Sequence, residues 1–202
     1  SPHAATLGGD VFLLIRVART GEVFGVNGSG RAPAATDASL FQNGIPRAGP
    51  EVATVPGMLA ALAEAAARYG RLPLARLLEP AIRLAREGFT VDAYLAANIE
   101  RCAEMLRRDP IAAALFVPAG TPLAAGARLV QPELAASLAR IAADGVECFY
   151  DGPLGKALAR GATDAGGLIA ASDLAAHRTL WQTPIVAPFH GREVLTMPPN
   201  SY

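Results

Sequence analysis

The sequence predicts an α+β fold, mostly helical, with strands near both ends. Three observations carry this: β-branched apolar runs lie near the start and the end of the chain, apolar residues recur every three or four positions through the middle, and glycine or proline punctuates most boundaries. The first run, Val11–Val17, reads as a strand, Thr20-Gly21 as a hairpin turn and Glu22–Val26 as its partner. Ala35–Ala53 is rich in glycine, proline and polar residues and reads as a long loop, of a length usually kept for function or held by other parts.

Helical signals follow. Thr54 ahead of Val55-Pro56 predicts an N-cap with proline in the first turn, and Met58-Leu59, Leu62, Ala65-Ala66 and Tyr69 form one stripe that stops at Gly70. A second helix carries Leu74, Leu77-Leu78, Ala81-Ile82 and Ala85 before Gly88, and Pro80 inside it predicts a kink. A third, Asp92 to Arg107, places Asp92 at the positive end of its dipole and is closed by Asp109-Pro110. From Ile111 to Gly126 four glycines and prolines leave a connector with at most one short helix. Leu129-Val130 leads into a fourth helix that opens at Gln131-Pro132 and stops at Gly145. A fifth spans Pro153 to Asp164, and Gly166–Leu174 is a turn followed by one capped helical turn. Thr183–Phe189 and Arg192–Met197 then pair around His190-Gly191. Strands at both ends would leave edges unpaired, so further strands are expected from segments outside this stretch or from another chain.

The 202 residues suit a single domain, expected to be partial for the reason just given, and 51% hydrophobic composition against 18% charged argues for a packed core. Eighteen basic residues balance eighteen acidic ones, which leaves no electrostatic footprint for nucleic acid and no basic arm for an anionic membrane. No apolar run reaches the roughly 18 residues a spanning helix needs. Cys102 and Cys148 lie far apart without a CxxC or a histidine at ligand spacing, so buried thiols are expected and neither a metal nor a cofactor is. The three histidines, His3, His177 and His190, stand in no nucleophile setting, so a self-contained triad is not expected; His177 and His190 read as surface or packing residues. Gly8-Gly9-Asp10 precedes its strand rather than following one and is no dinucleotide loop, and Tyr150-Asp151-Gly152 reads as a turn.

The best candidate for a ligand contact is Asn27-Gly-Ser29-Gly-Arg31-Ala-Pro-Ala34, with Asn27, Ser29 and Arg31 as its binding side chains. Glycine permits close backbone approach and positive φ, and arginine offers a planar fork of donors that suits a carboxylate. A tight turn with a solvated arginine is the alternative.

Set in order, Leu7–Leu14, Gly28–Ala34, Val55–Gly57, Arg68–Leu74, Leu78–Ala85 with Glu87–Phe89, Phe149–Gly152, Gly166–Ile169 with Asp173–Ala175, and Pro198–Ser201 resemble the γ-glutamyltranspeptidase family over the front part of its large subunit. The resemblance implies a four-layer αββα N-terminal-nucleophile hydrolase, whose precursor cleaves itself to free a threonine at the start of a small subunit. That threonine attacks an amide with its own α-amine as base, and the acyl-enzyme passes its acyl group to water or an amine acceptor. The implied donor is a γ-glutamyl compound such as glutathione, and the implied partner is the small subunit of the same precursor. No Thr-Thr-His segment occurs here, so the nucleophile is expected beyond Tyr202 and an opening helical segment before Ser1. This polypeptide alone is then expected to be inert, contributing structure and part of the donor pocket.

By the same resemblance, enzymes of the glutathione-processing type hold the donor α-carboxylate with an arginine where this chain has Ser29. Arg31 comes two residues later. On an extended segment that keeps the same face about 6 to 7 Å further along. Either Arg31 reaches the carboxylate from there, or the enzyme acts on a different small amide or acylated amine. A helical module that only docks a partner is a third reading.

Overall fold

The structure, a computed structural model, describes residues 6–199. In chain order its elements are β1 (Phe12–Arg16), β2 (Val23–Asn27), α1 (Met58–Tyr69), α2 (Leu74–Glu87), β3 (Phe89–Thr90), α3 (Ala93–Arg101), α4 (Ala103–Leu106), α5 (Pro110–Phe116), β4 (Arg128–Leu129), α6 (Pro132–Asp144), α7 (Glu147–Tyr150), α8 (Pro153–Asp164), α9 (Ala171–Ala175), β5 (Leu180–Gln182), β6 (Ile185–Phe189) and β7 (Arg192–Thr196). Short 3₁₀ turns lie at Ala38–Phe41, Pro50–Val52 and Pro118–Gly120. The described residues fall into two compact units, one built on Leu74–Gly145, the other on Leu7–Pro73 and 146–199.

In the first unit α2 packs against α6. Gly88 and Gly145 stop these helices as their sequence predicts, each at positive φ (80° and 81°), with Gly88 N–H donating to the Leu84 carbonyl and Gly145 N–H to that of Ile141. α2 runs on through Pro80. The predicted Asp92–Arg107 helix divides at Cys102 (φ −99°, ψ 5°) into α3 and α4. Asp92 caps α3 by accepting from Leu95 N–H at 2.7 Å. Asp109 follows the end of α4, its N–H donating to the Leu106 carbonyl at 3.3 Å, and also opens α5, accepting from Ala112 N–H at 2.7 Å with Pro110 at the first helical position. An aspartate followed by proline is a start signal, and here it wins over the run before it. Val91, Leu95, Ile99 and Leu129 form a core cluster of the unit; Val91 follows β3 and Leu129 lies in β4 opposite Phe89, in a two-residue pairing too short to leave a periodic signal.

In the second unit β1, β2 and β5 form an antiparallel sheet with β2 in the centre, Leu13 opposite Val26 and Val26 opposite Trp181. The hairpin turn closes as predicted at Gly21, φ 78°. β5 goes unforeseen because three residues carry too little period. An aromatic cluster ties α1 to this sheet: Tyr69 stacks on Phe24 at 5.9 Å, Trp181 meets both, and Trp181 Nε1 donates to Glu64 at 2.7 Å. α1 begins at Met58, not at a Thr54 cap. Its first-turn amides find partners far away in sequence instead, Met58 N–H donating to the Gly9 carbonyl at 3.0 Å and Ala60 N–H to the Tyr150 hydroxyl at 3.1 Å. A second cluster of Val55, Ala159, Ile169 and Leu174 lies beneath α8 and α9. The predicted β6–β7 hairpin forms around His190 and Gly191, φ 48° and 72°. Of the turn expected at Tyr150-Asp151-Gly152, Tyr150 instead ends the single helical turn α7, and the chain bends at Asp151-Gly152.

Candidate functional site

β2 delivers the turn 27–34. The β1–β2 ladder continues one step past the strand, where Gly28 N–H donates to the Val11 carbonyl at 2.8 Å. Asn27, buried, then folds back so that its Oδ1 accepts from Ser29 N–H at 2.8 Å. Asp10 grips the turn from outside: one carboxylate oxygen accepts from the Ser29 hydroxyl at 3.1 Å, the other from Gly30 N–H at 3.2 Å. Asp173 holds the far end, with one oxygen on Ala34 N–H and the other on Ala170 N–H, both at 2.9 Å.

The glycines earn their places by closeness rather than by dihedral freedom. A Cβ on Gly30 would lie 2.5 Å from the Val55 carbonyl carbon and nearer still to its oxygen, because Val55 N–H donates to the Arg31 carbonyl at 3.0 Å and the two backbones run in contact. Gly57 is pressed in the same way against the Gly28 carbonyl, with His177 Cε1 3.1 Å from where its Cβ would stand. Neither Gly28 nor Gly30 adopts positive φ.

These clamps separate the three predicted binding residues. Asn27 is taken up inside the turn by Ser29 N–H, and the half-buried Ser29 gives its hydroxyl to Asp10. Arg31 is exposed, and among the described residues its guanidinium has no carboxylate partner. It borders a pocket of about 270 Å³ whose wall includes Ala34, Val55, Asp173 and His177.

His177 is only 8% exposed. Its ring stacks on Tyr150 at 5.4 Å, and its Nε2 has no hydrogen-bond partner. Burial, then the neighbouring positive charges of Arg178 and Arg31, hold its pKa below the ordinary value, against smaller opposing pulls from Glu64 and Asp10. The Tyr150 hydroxyl donates to the Pro56 carbonyl at 2.9 Å while accepting from Ala60 N–H, and burial pushes its pKa up to about 12. A neutral phenol thus supports both His177 and the start of α1.

The sequence reading finds Arg31 and misses Asp10, Asp173 and His177 as parts of one site. Asp10 stands out only as the tail of a Gly-Gly-Asp that fits no nucleotide loop, and the capped turn around Asp173 gives a local signal but not its reach to Ala34. Nothing local marks His177 as buried. Among the described residues no group of three metal-ligating side chains comes together, and no helix is long and apolar enough to cross a membrane.

A family model described as gamma-glutamyltranspeptidase matches residues 1–202. The chain is 46% identical over 153 residues to the "Acylase ACY 1 proenzyme" of Pseudomonas sp. (strain SE83), covering 76% of this chain and 27% of that one. It is 35% identical over 208 residues to the "Glutathione hydrolase proenzyme" of Escherichia coli (strain K12), covering 99% and 36%. The chain therefore spans between about a quarter and a little over a third of these relatives. Among solved structures, Helicobacter pylori gamma-glutamyltranspeptidase superposes with a TM-score of 0.93 at 27% identity, over 98% of this chain and 59% of that one.

Proposed function

The chain belongs to the gamma-glutamyltranspeptidase family, whose members are enzymes and whose N-terminal-nucleophile hydrolase fold it shares, and on that premise we propose that it is the large-subunit portion of an acyl-transferring or acyl-hydrolysing amide enzyme. The nucleophile is a threonine at the head of the small subunit of the same precursor, outside this chain. Its hydroxyl attacks the donor amide, its α-amine takes the hydroxyl proton and passes it to the departing amine as the C–N bond breaks, and the resulting acyl-enzyme is resolved by water or an amine acceptor. This chain contributes the floor of the donor pocket.

The observation that carries the reading is Arg31: an exposed guanidinium without a carboxylate partner among the described residues, on a turn held by hydrogen bonds from Ser29, Gly30 and Ala34 to Asn27, Asp10 and Asp173. A bidentate arginine suits the carboxylate of a γ-glutamyl donor such as glutathione, and the relative from Escherichia coli is named a glutathione hydrolase. A second reading, an acylase with a non-glutamyl donor, is favoured by Ser29, whose hydroxyl is tied to Asp10 and offers no charge at the position where the glutathione-processing type carries arginine. A relative named as an acylase at 46% identity supports it.

A mass-spectrometric screen of amide donors on the mature enzyme decides between the two by the mass added to the threonine. A γ-glutamyl adduct supports the first, another acyl adduct the second, and no adduct from any donor defeats both. Incubated alone with a chromogenic γ-glutamyl donor, the large-subunit portion is expected to give no turnover.

A further inference from the structure

The first unit holds a cavity where the helix predicted as continuous breaks at Cys102. It measures about 340 Å³, within the range of small-molecule sites. Leu95 and Ile99 of α3, both buried, give it a floor continuous with the unit's core cluster, and Leu106 and Phe116, packed against that cluster, give it walls. The lining also includes Met105, which is 48% exposed. Its unbranched thioether adapts to the shape of what it meets.

The polar part of the lining is one-sided. Arg101 is the one charged residue among the described residues that line the cavity; it is exposed and forms no ion pair with a described carboxylate. Glu100 and Glu104, close to it in the chain, are exposed and do not line the cavity, and Arg107 is turned to the Gly120 carbonyl. Arg101 Nη2 donates to Asn98 Oδ1, and Asn98 Nδ2 donates to the Tyr94 carbonyl at 2.8 Å. The guanidinium is thus held against α3 with donors to spare. Standing in the last turn of α3, its charge also suits the carbonyl end of that helix, which fixes the cation without using up those donors.

We propose that this cavity binds an apolar carboxylic acid of short to medium chain length, the chain on the floor shared with the core and the carboxylate on Arg101. An apolar body leaves water on entering, while the charged end stays at an exposed cation and is not itself buried. Such a ligand would touch α3, α4 and α5 together and tie them across the break at Cys102. Binding to the folded state alone then raises Tm with ligand concentration.

The test uses the mature two-subunit enzyme and octanoate as the probe, with octanamide as the same chain without charge and acetate as the charge without the chain. Cys102 lines the cavity and is half-buried, whereas Cys148 is buried, so N-ethylmaleimide labelling read by peptide mass spectrometry reports on the cavity itself. Saturating octanoate is expected to slow labelling of Cys102 tenfold or more and to raise Tm, and acetate to do neither. Arg101→Gln should weaken octanoate binding roughly tenfold or more, the worth of a charge-assisted hydrogen bond, and Met105→Glu should weaken it by repulsion. Arg31→Ala should leave the protection of Cys102 unchanged, which separates this cavity from the pocket beside the turn. The proposal is overturned if octanoate below its micelle point does not slow the labelling, if octanamide protects as well as octanoate, or if Arg101→Gln binds octanoate like the wild type. Protection lost in Arg31→Ala overturns it too, as does a Cys102 that resists labelling without any ligand, because the cavity is then closed by another segment. The comparison of octanoate with octanamide on the wild type decides the role of charge whether or not the variants fold.

Discussion

Two turns of this molecule use glycine for opposite reasons. At His190-Gly191 both residues have positive φ, and a Cβ on Gly191 would meet nothing within 4 Å. At residues 27–34 the glycines have ordinary dihedrals, and a Cβ would drive into another segment, at Gly30 into the Val55 backbone and at Gly28 into the side chains of Ala61 and Val11. The hairpin turn is a local device that links two largely exposed strands. The other is a crossing point, where the end of β2, the lead-in to α1 and the aspartates at 10 and 173 converge to leave one arginine pointing outward. Backbone shape alone makes the first, whereas the whole second unit makes the other.

Single substitutions in the mature enzyme sharpen this contrast. Gly30→Ala should be the most damaging, about 3 kcal/mol, because no side chain can yield where the obstacle is the Val55 backbone. Gly191→Ala should cost about 1 kcal/mol, the left-handed penalty alone. Equal losses in Tm at the two positions would erase the distinction. Asp10→Ala removes the acceptor shared by Ser29 and Gly30 on an exposed surface and should cost roughly 1 kcal/mol or less, while raising donor KM through a loosened Arg31. An unchanged KM in that variant would mean the turn holds its shape without the clamp. His190→Asn, a residue more tolerant of positive φ, should stabilise slightly, by about 0.5 kcal/mol, and leave kinetics untouched.

What the sequence makes legible follows the same division. Asp92, Gly88, Gly145, Gln131-Pro132 and His190-Gly191 act within a few residues, and each marks its boundary where the structure has it. Thr54 misleads because α1 draws its first-turn partners from Gly9 and from Tyr150, some ninety positions off, so no local cap is needed. The pairing of β5 with β2 is likewise decided by contact between distant segments. The site divides in the same manner. Arg31 is visible as a cation in a glycine turn, but that Asn27 and Ser29 are taken up by hydrogen bonds depends on Asp10 and on the shape of the turn. His177 reads as an ordinary packing residue until its burial against Tyr150 and its idle nitrogen are seen beside the pocket.

The central claim is that this crossing exists to present Arg31 to the donor. The most direct measurement is the donor KM of the mature enzyme with Arg31→Ala, using a carboxylate-bearing acyl donor. Loss of a charge-assisted pair predicts a KM raised roughly tenfold or more, with kcat little changed and Tm within a degree or two of wild type. A KM equal to that of the wild type would contradict the account and leave the arginine a solvated residue of the turn.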